Sequence, residues 1–207
     1  MFHIPLTSLA AHFANIDIYL FDQLLKGRIA KGMKLLDAGC GGGRNIQYLM
    51  QAGVKVYGAD TSEKAIEDVK RMAAALALTL SAKNFVVADL EKLPFADAAF
   101  DVVLCSAVLH FARDEAHFKR MTQELWRVLK PGGMLFCRLS TTIGMEGKLQ
   151  QAGHRKYQMP HGPVWFLAGE DLLQELILEW QAEKLEPLKT VLVEQERSMT
   201  TLVLRKA

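Results

Sequence analysis

The chain has 207 residues, half of them hydrophobic, with 25 basic and 23 acidic side chains and a net charge of +2. That length and composition suit one α/β domain with a sizeable core. The charge balance leaves no basic stripe, so neither nucleic acid nor an anionic membrane surface is expected as a partner.

The N-terminal segment, opening MFHIPLTSLAAHFANIDIYLF, is fairly apolar but lacks a basic leader region and is interrupted by Pro5, Asn15 and Asp17. Signal-peptide and membrane-span readings therefore both fail. Phe13, Ile16 and Leu20 recur at helical spacing, so residues 1–30 read as a helical cap, with Tyr19 and Phe21 placed to close one side of a site. Five short apolar runs follow: MKLLDAG (33–39), VKVYGAD (54–60), NFVVADL (84–90), FDVVLCS (100–106) and GMLFCRLS (133–140). Runs of this kind are expected of parallel strands covered on both faces. Between them lie helical patterns, Ile66, Val69, Ala73 and Leu76 in one and Phe118, Met121, Leu125 and Val128 in another. Ser62 and Asp114 are placed to cap these helices, and KPGG (130–133) to stop the second. His117 reads as a surface residue of that helix.

Residues 141–168 form the one long irregular stretch, and long loops in compact domains are often functional. It gathers His154, Arg155, Lys156, Tyr157, His161 and Trp165, which suggests a substrate lid with cations facing an acidic acceptor; the plainer reading has Trp165 plugging the core. The tail holds two β-rich runs joined by EQERS, a closing hairpin. Strand and helix alternate over the whole chain, so 1–207 is expected to be a single domain around a parallel sheet with right-handed crossovers. Cys40, Cys105 and Cys137 are far apart and contain no C-x-x-C pair. Disulfide framework and metal site are both unexpected, and a reduced, cytoplasmic setting fits.

The stretch LLDAGCGGGRN (35–45) places a glycine turn after the first strand. A dinucleotide G-x-G-x-x-G fits Gly39 and Gly41 but meets Arg44 at its third position, and no G-K-[ST] follows for a phosphate loop. What fits is D-x-G-x-G-x-G from Asp37 to Gly43. With acids at Asp60 and Asp89, the run LPFADAAFDVVLCSAVLHF, the run ELWRVLKPGGMLF and the terminal hairpin in order, the chain resembles the class I S-adenosylmethionine-dependent methyltransferases from about residue 33 onward. Its G-R-N is similar to that of small-molecule members such as the tellurite-resistance type.

The resemblance implies a Rossmann-like α/β fold. Its seven-stranded, mostly parallel sheet would carry an antiparallel C-terminal strand, with helices on both faces. It implies S-adenosyl-L-methionine as cofactor and S-adenosyl-L-homocysteine as product. The turn at Gly39, Cys40 and Gly41 would lie against the amino acid and ribose portions, ordered by Asp37. Asp60, followed by Thr61, would accept from both ribose hydroxyls, because both carboxylate oxygens accept. Asp89 would meet the adenine amine, with the Leu90 amide on a ring nitrogen. Arg44 and Asn45 would open the first helix near the cofactor carboxylate. Ser106 and Ala107 would face the methionine part. His110, just past strand four, is the candidate base for an acceptor, or else packs over the cofactor or bonds to backbone.

The implied reaction moves a methyl group to a nitrogen, oxygen or sulfur atom of a small molecule, in a monomer or homodimer. A nicotinamide dehydrogenase is disfavoured by Arg44 and the hairpin. A nucleic-acid methyltransferase is disfavoured by SAVLHF standing where N-P-P-Y is usual. A protein methyltransferase and a cofactor-binding protein without catalysis remain as alternatives.

Overall fold

The computed structural model describes residues 12, 13, 15–76, 80–160, 162–194 and 196–207. Readings that fall on residues 1–11 and on His161 lie outside these. From the described part of the N-terminal segment emerges helix α1 (Ile18–Leu25), whose first turn is closed by Asp17 Oδ1 accepting from the Tyr19 N–H at 2.9 Å.

Then come β1 (Lys34–Ala38), α2 (Gln47–Gln51), β2 (Lys55–Asp60), α3 (Glu63–Leu76), β3 (Phe85–Val87), β4 (Phe100–Ser106) and α4 (Glu115–Val128). They are followed by β5 (Leu129–Thr141), three short strands β6 (Gln150–Gly153), β7 (Lys156–Gln158) and β8 (Val164–Phe166), and α5 (Glu170–Glu179). The chain closes with β9 (Glu183–Lys184), β10 (Lys189–Val193) and β11 (Arg197–Arg205).

The main sheet runs in the order β10-β11-β5-β4-β1-β2-β3, and the two-residue β9 pairs with the far end of β11. The pairs β1–β2, β1–β4, β2–β3 and β4–β5 are parallel, whereas β11 is antiparallel to β5 and β10. Alternate strand residues feed two separate cores. Leu36, Val103, Cys105, Leu135 and Cys137 pack under α4 and α5 with Phe118, Leu125 and Leu173. Leu35, Val102, Leu104 and Phe136 pack on the opposite face with Leu20, Leu49, Ile66 and Val69 from α1, α2 and α3. Helices on both faces are what the apolar strand runs require. Ser62 and Asp114 accept from the Ala65 and His117 N–H groups at 3.2 and 2.7 Å, which sets where α3 and α4 begin.

Three expectations change. KPGG does end α4 at Val128, but the chain is already in β5 from Leu129, so Lys130–Gly133 is a bulge inside the strand. The register passes from Phe100↔Leu129 to Val102↔Met134, and Gly132 takes φ +76°, a conformation that glycine adopts without strain. Residues 141–168 are not an irregular loop: β6, β7 and β8 form a three-stranded antiparallel sheet. Two of the basic side chains there, His154 and Arg155, already have acidic partners. Arg155 reaches Glu115 at 2.8 Å and Asp171 at 2.6 Å, which rivets the small sheet to the first turns of α4 and α5. The Arg155 guanidinium, with His154 beside it, draws the Glu115 carboxyl down to about 2. Phe166 stacks on Phe118 at 5.0 Å between ring centres, both fully buried, and completes the attachment.

Candidate active site

All parallel strands end on one edge, and the residues of interest collect there. After β1 the chain turns through Gly39 (φ +82°), Gly41 (φ +49°) and Gly43 (φ +83°). A Cβ on Gly39 would stand 2.3 Å from Val108 Cγ2, and one on Gly43 would stand 2.3 Å from Met72 Cε and 2.9 Å from Val69 Cγ2. Those two glycines serve close packing. Gly41 differs, since a Cβ there would meet nothing within 4 Å among the described residues. Its left-handed φ keeps the backbone clear on the open side of the turn.

The turn is held by β2. The N–H groups of Gly39 and Cys40 donate to Ala59 O at 2.7 and 3.1 Å, and that of Gly41 donates to Asp60 Oδ2 at 2.8 Å. The other oxygen, Asp60 Oδ1, accepts from Ser62 N–H at 2.9 Å. It is Asp60, then, and not Asp37, whose carboxylate orders the turn. Each Asp60 oxygen keeps a free lone pair, because a carboxylate oxygen accepts more than one bond. Cys40 contributes only its backbone: its sulfur packs towards Gly58, and burial pushes the thiol far above its ordinary range.

A cavity of about 350 Å³ opens beside the turn, lined by Gly39, Asp60, Thr61, Asp89, Leu90, Val108, Phe111, His117 and Met121. Asp89 is exposed at the exit of β3 and uses Oδ1 to accept from Glu91 N–H at 2.9 Å. His117 corrects the surface assignment: it is 6% exposed and faces the cavity one helical turn before Met121.

A second group lies on the other flank of the turn. Asp37 is 1% exposed, and its Oδ1 has no hydrogen-bond partner among the described residues. Burial raises the Asp37 carboxyl to about 7, with Arg44 pulling against the rise and Asp60 adding to it. Arg44 sits in the turn ahead of α2 and makes two long bonds, to Asn15 O at 3.4 Å and Ser106 Oγ at 3.5 Å. Asn45 is buried and accepts the Asp17 N–H at 3.0 Å, so it fastens the N-terminal segment to the turn. Asp17 in turn binds Arg138 at 3.0 Å, and that guanidinium lies 5.4 Å from the centre of the Tyr19 ring. Ser106 is buried, and Ala107 holds a positive φ of 63° while its N–H donates to Arg138 O at 2.7 Å. Arg138, missed in the sequence, had a signal: it is the one charge in the apolar run MLFCRLS.

His110 is 3% exposed and packs against Trp165, with ring centres 4.4 Å apart and planes tilted by 37°. Its Nδ1 accepts from Ser140 N–H at 3.4 Å. Burial, with the nearby Arg197 charge, lowers it to about 4, so the ring is neutral at physiological pH. Trp165 also lines a second cavity of about 420 Å³ with Met159, Pro160, Pro163, Val193 and Arg197. Between the two cavities stand His110, Phe111 and Trp165, with Phe111 and Trp165 ring centres 5.9 Å apart. Among the described residues, no helix is long and apolar enough to cross a membrane.

Strand order, the glycine turn after β1 and the carboxylate ending β2 together define the Rossmann-like architecture of class I S-adenosylmethionine-dependent methyltransferases. Residues 36–137 match the family described as methyltransferase domain. An uncharacterized methyltransferase of Bacillus subtilis, YodH, is 30% identical over 181 residues, covering 86% of this chain and 72% of that one. The chain belongs to this methyltransferase family. A ubiquinone biosynthesis O-methyltransferase of Cereibacter sphaeroides is 36% identical over 118 residues, covering 56% of this chain and 45% of the relative. The chain spans about half the length of most curated relatives it matches. In fold it is similar to the PH0226 protein of Pyrococcus horikoshii, with a TM-score of 0.71 at 20% identity over 99% of this chain and 100% of that one.

Proposed function

We propose that the protein transfers a methyl group from S-adenosylmethionine to a nitrogen, oxygen or sulfur atom of a small molecule. The observation that carries this reading is Asp60: a carboxylate fixed by two backbone N–H groups, with lone pairs left for a vicinal diol beside a cavity of nucleoside size. The other residues fit the same ligand. The orphaned oxygen of Asp37 suits an ammonium group, and the weakly engaged Arg44 suits a carboxylate; the amino acid end of the cofactor has both. The near-neutral surface and the ubiquinone-pathway relative support a small acceptor.

The bound cofactor supplies a sulfonium whose methyl is already electrophilic, so the protein's task is placement and exclusion of water. Such placement is worth about 7–11 kcal/mol in well-oriented systems. The second cavity, walled by Trp165, is the proposed acceptor pocket, and the small sheet β6–β8 supplies part of its wall.

His110 has a defined part. With Nδ1 accepting from Ser140, the neutral ring carries its proton on Nε2 and offers a donor rather than a free lone pair. We therefore assign it to positioning, not proton removal. His110→Ala should leave cofactor binding intact and lower kcat by less than about 10²-fold, with the acidic limb of the pH–rate profile unchanged. A loss of about 10²- to 10⁴-fold together with disappearance of that limb would reinstate the base.

The direct test of the function is calorimetric titration with S-adenosylmethionine, S-adenosylhomocysteine and NAD, followed by radiolabelled methyl transfer across a panel of phenols, amines and thiols. Micromolar binding of the adenosyl pair without NAD, and label on one acceptor class, is the expected result. NAD binding alone would overturn the reading.

A further inference from the structure

The cavity of about 420 Å³ assigned to the acceptor is a cleft between two hairpins. Met159, Pro160, Pro163 and Trp165 come from the end where β7 passes into β8, closed by the Met159 N–H donating to Pro163 O at 3.1 Å. Val193, Glu194, Glu196 and Arg197 come from the end where β10 passes into β11 and Val193 pairs with Arg197. One side is thus thioether, proline ring and indole, and the other carries the charge. Small-molecule sites of this kind hold the body of a ligand on apolar walls and orient it with a few polar groups.

Arg197 is the polar group that stands out. It is exposed, and among the described residues its guanidinium has neither an ion pair nor a hydrogen bond. By contrast, Arg113, Arg120, Arg127, Arg138, Arg155 and Arg205 each meet a carboxylate. The two acids beside it are not its partners: Glu194 is exposed, and Glu196 has a contact of its own. The Arg197 charge still reaches inward, since with burial it holds the His110 ring low. The pocket is also poor in bases. His110, packed on Trp165, carries its proton on Nε2, and a solvated carboxylate such as that of Glu194 is too weak a base to ionise a hydroxyl.

Resting on the methyl-transfer reading and the pocket assigned above, we propose that the acceptor is an oxygen acid that binds already ionised. It is a phenolate or carboxylate with a flat apolar body against Trp165 and its anionic group towards Arg197. Its proton has gone to water before binding, so no base is needed. The oxyanion attacks the methyl carbon, the O–C bond forms as the S–C bond breaks, and the S–C electron pair stays on sulfur. A guanidinium suits the task because it stays charged at every working pH and meets carboxylate oxygens with parallel N–H groups. An aromatic body suits the indole and proline surfaces.

The test titrates the complex with S-adenosylhomocysteine, in which no transfer can occur, with naphthoate and with naphthamide, which has the same shape and no charge. Naphthoate should bind about tenfold more tightly or better, the lower end for a charge-assisted bond because Arg197 is exposed. Arg197→Gln should bind both alike and Arg197→Lys should keep part of the difference, with thermal melts to check folding. A nitrophenol added below the pH of its own ionisation should show growth of its phenolate absorbance with the wild-type complex and none with Arg197→Gln. Equal binding of the two probes by the wild type, binding of neither, a preference kept in Arg197→Gln, or no growth of the phenolate band would overturn the inference and leave the cofactor reading in place. Failure of S-adenosylhomocysteine itself to bind would overturn the two together.

Discussion

Asp60→Ala should weaken S-adenosylmethionine binding by a hundredfold or more. Hydrogen bonds to a charged acceptor are worth about 1.5–3 kcal/mol each, and the diol would make two of them. The residue is half-buried, so the lower end of that range applies, and about 2.8 kcal/mol already corresponds to a hundredfold. The substitution also frees the Gly41 N–H that Asp60 Oδ2 holds at 2.8 Å, loosening the turn on which the ligand lies. Asp60→Asn should fall between, near tenfold, because its one amide oxygen still accepts while its NH₂ opposes either the Gly41 or the Ser62 N–H. Folding should survive both changes with a loss of about 1–2 kcal/mol, since the two freed N–H groups lie at the edge of the sheet and can find water. Calorimetry measures the binding and a thermal melt the stability. Unchanged affinity in Asp60→Ala would remove the diol from the site and, with it, the orientation assigned to the ligand.

Much of this frame is legible in the order of residues. Parallel strands covered on both faces leave apolar runs too short for helices, and each is followed by a cap or a glycine that marks where the chain turns. The order of the acids Asp60 and Asp89 along those runs is enough to place both on one cavity wall. Other features depend on long-range partners and leave little trace. His117 faces Glu91, which approaches from the β3 exit and leaves no local signature, whereas its bond from the Arg113 N–H is local, four residues away. The β6–β8 sheet has strands of only three or four residues, too short for an alternation to register among polar positions such as His154, Arg155 and Lys156.

The same holds for the bulge at Lys130–Gly133, where K-P-G-G reads as a terminator because a strand resuming through two glycines is unusual. Arg138 is visible as a charge in an apolar run, but its contact with Asp17, 121 positions away, is not.

Relative to Asp37→Asn, the wild-type apo protein should lose stability as pH rises from about 4 to 7, a trend that His110, lowered to about 4, opposes in the absolute stability, and cofactor binding should release a proton. Both follow from Asp37. Its carboxyl is raised from 3.8 to about 7 by burial, so between those values the folded chain holds a proton that the unfolded chain gives up. Stability from this group is therefore complete below about pH 4 and is lost as pH climbs through 7, by roughly 4 kcal/mol in all. Asp37→Asn cannot ionise. It should match the wild type at pH 4 and exceed it at pH 8, which denaturant melts at the two values would show. The same substitution should weaken S-adenosylmethionine binding, because the orphaned Oδ1 is the acceptor assigned to the ligand's ammonium. That ammonium would draw the carboxyl back to its ionised form, so at pH 6 binding should expel nearly one proton from the wild type. Titration in two buffers of different ionisation enthalpy reads that proton directly, and Asp37→Asn should show none. A wild-type heat independent of buffer would mean that Asp37 keeps its proton in the complex, and the ammonium would then have to be held by another group.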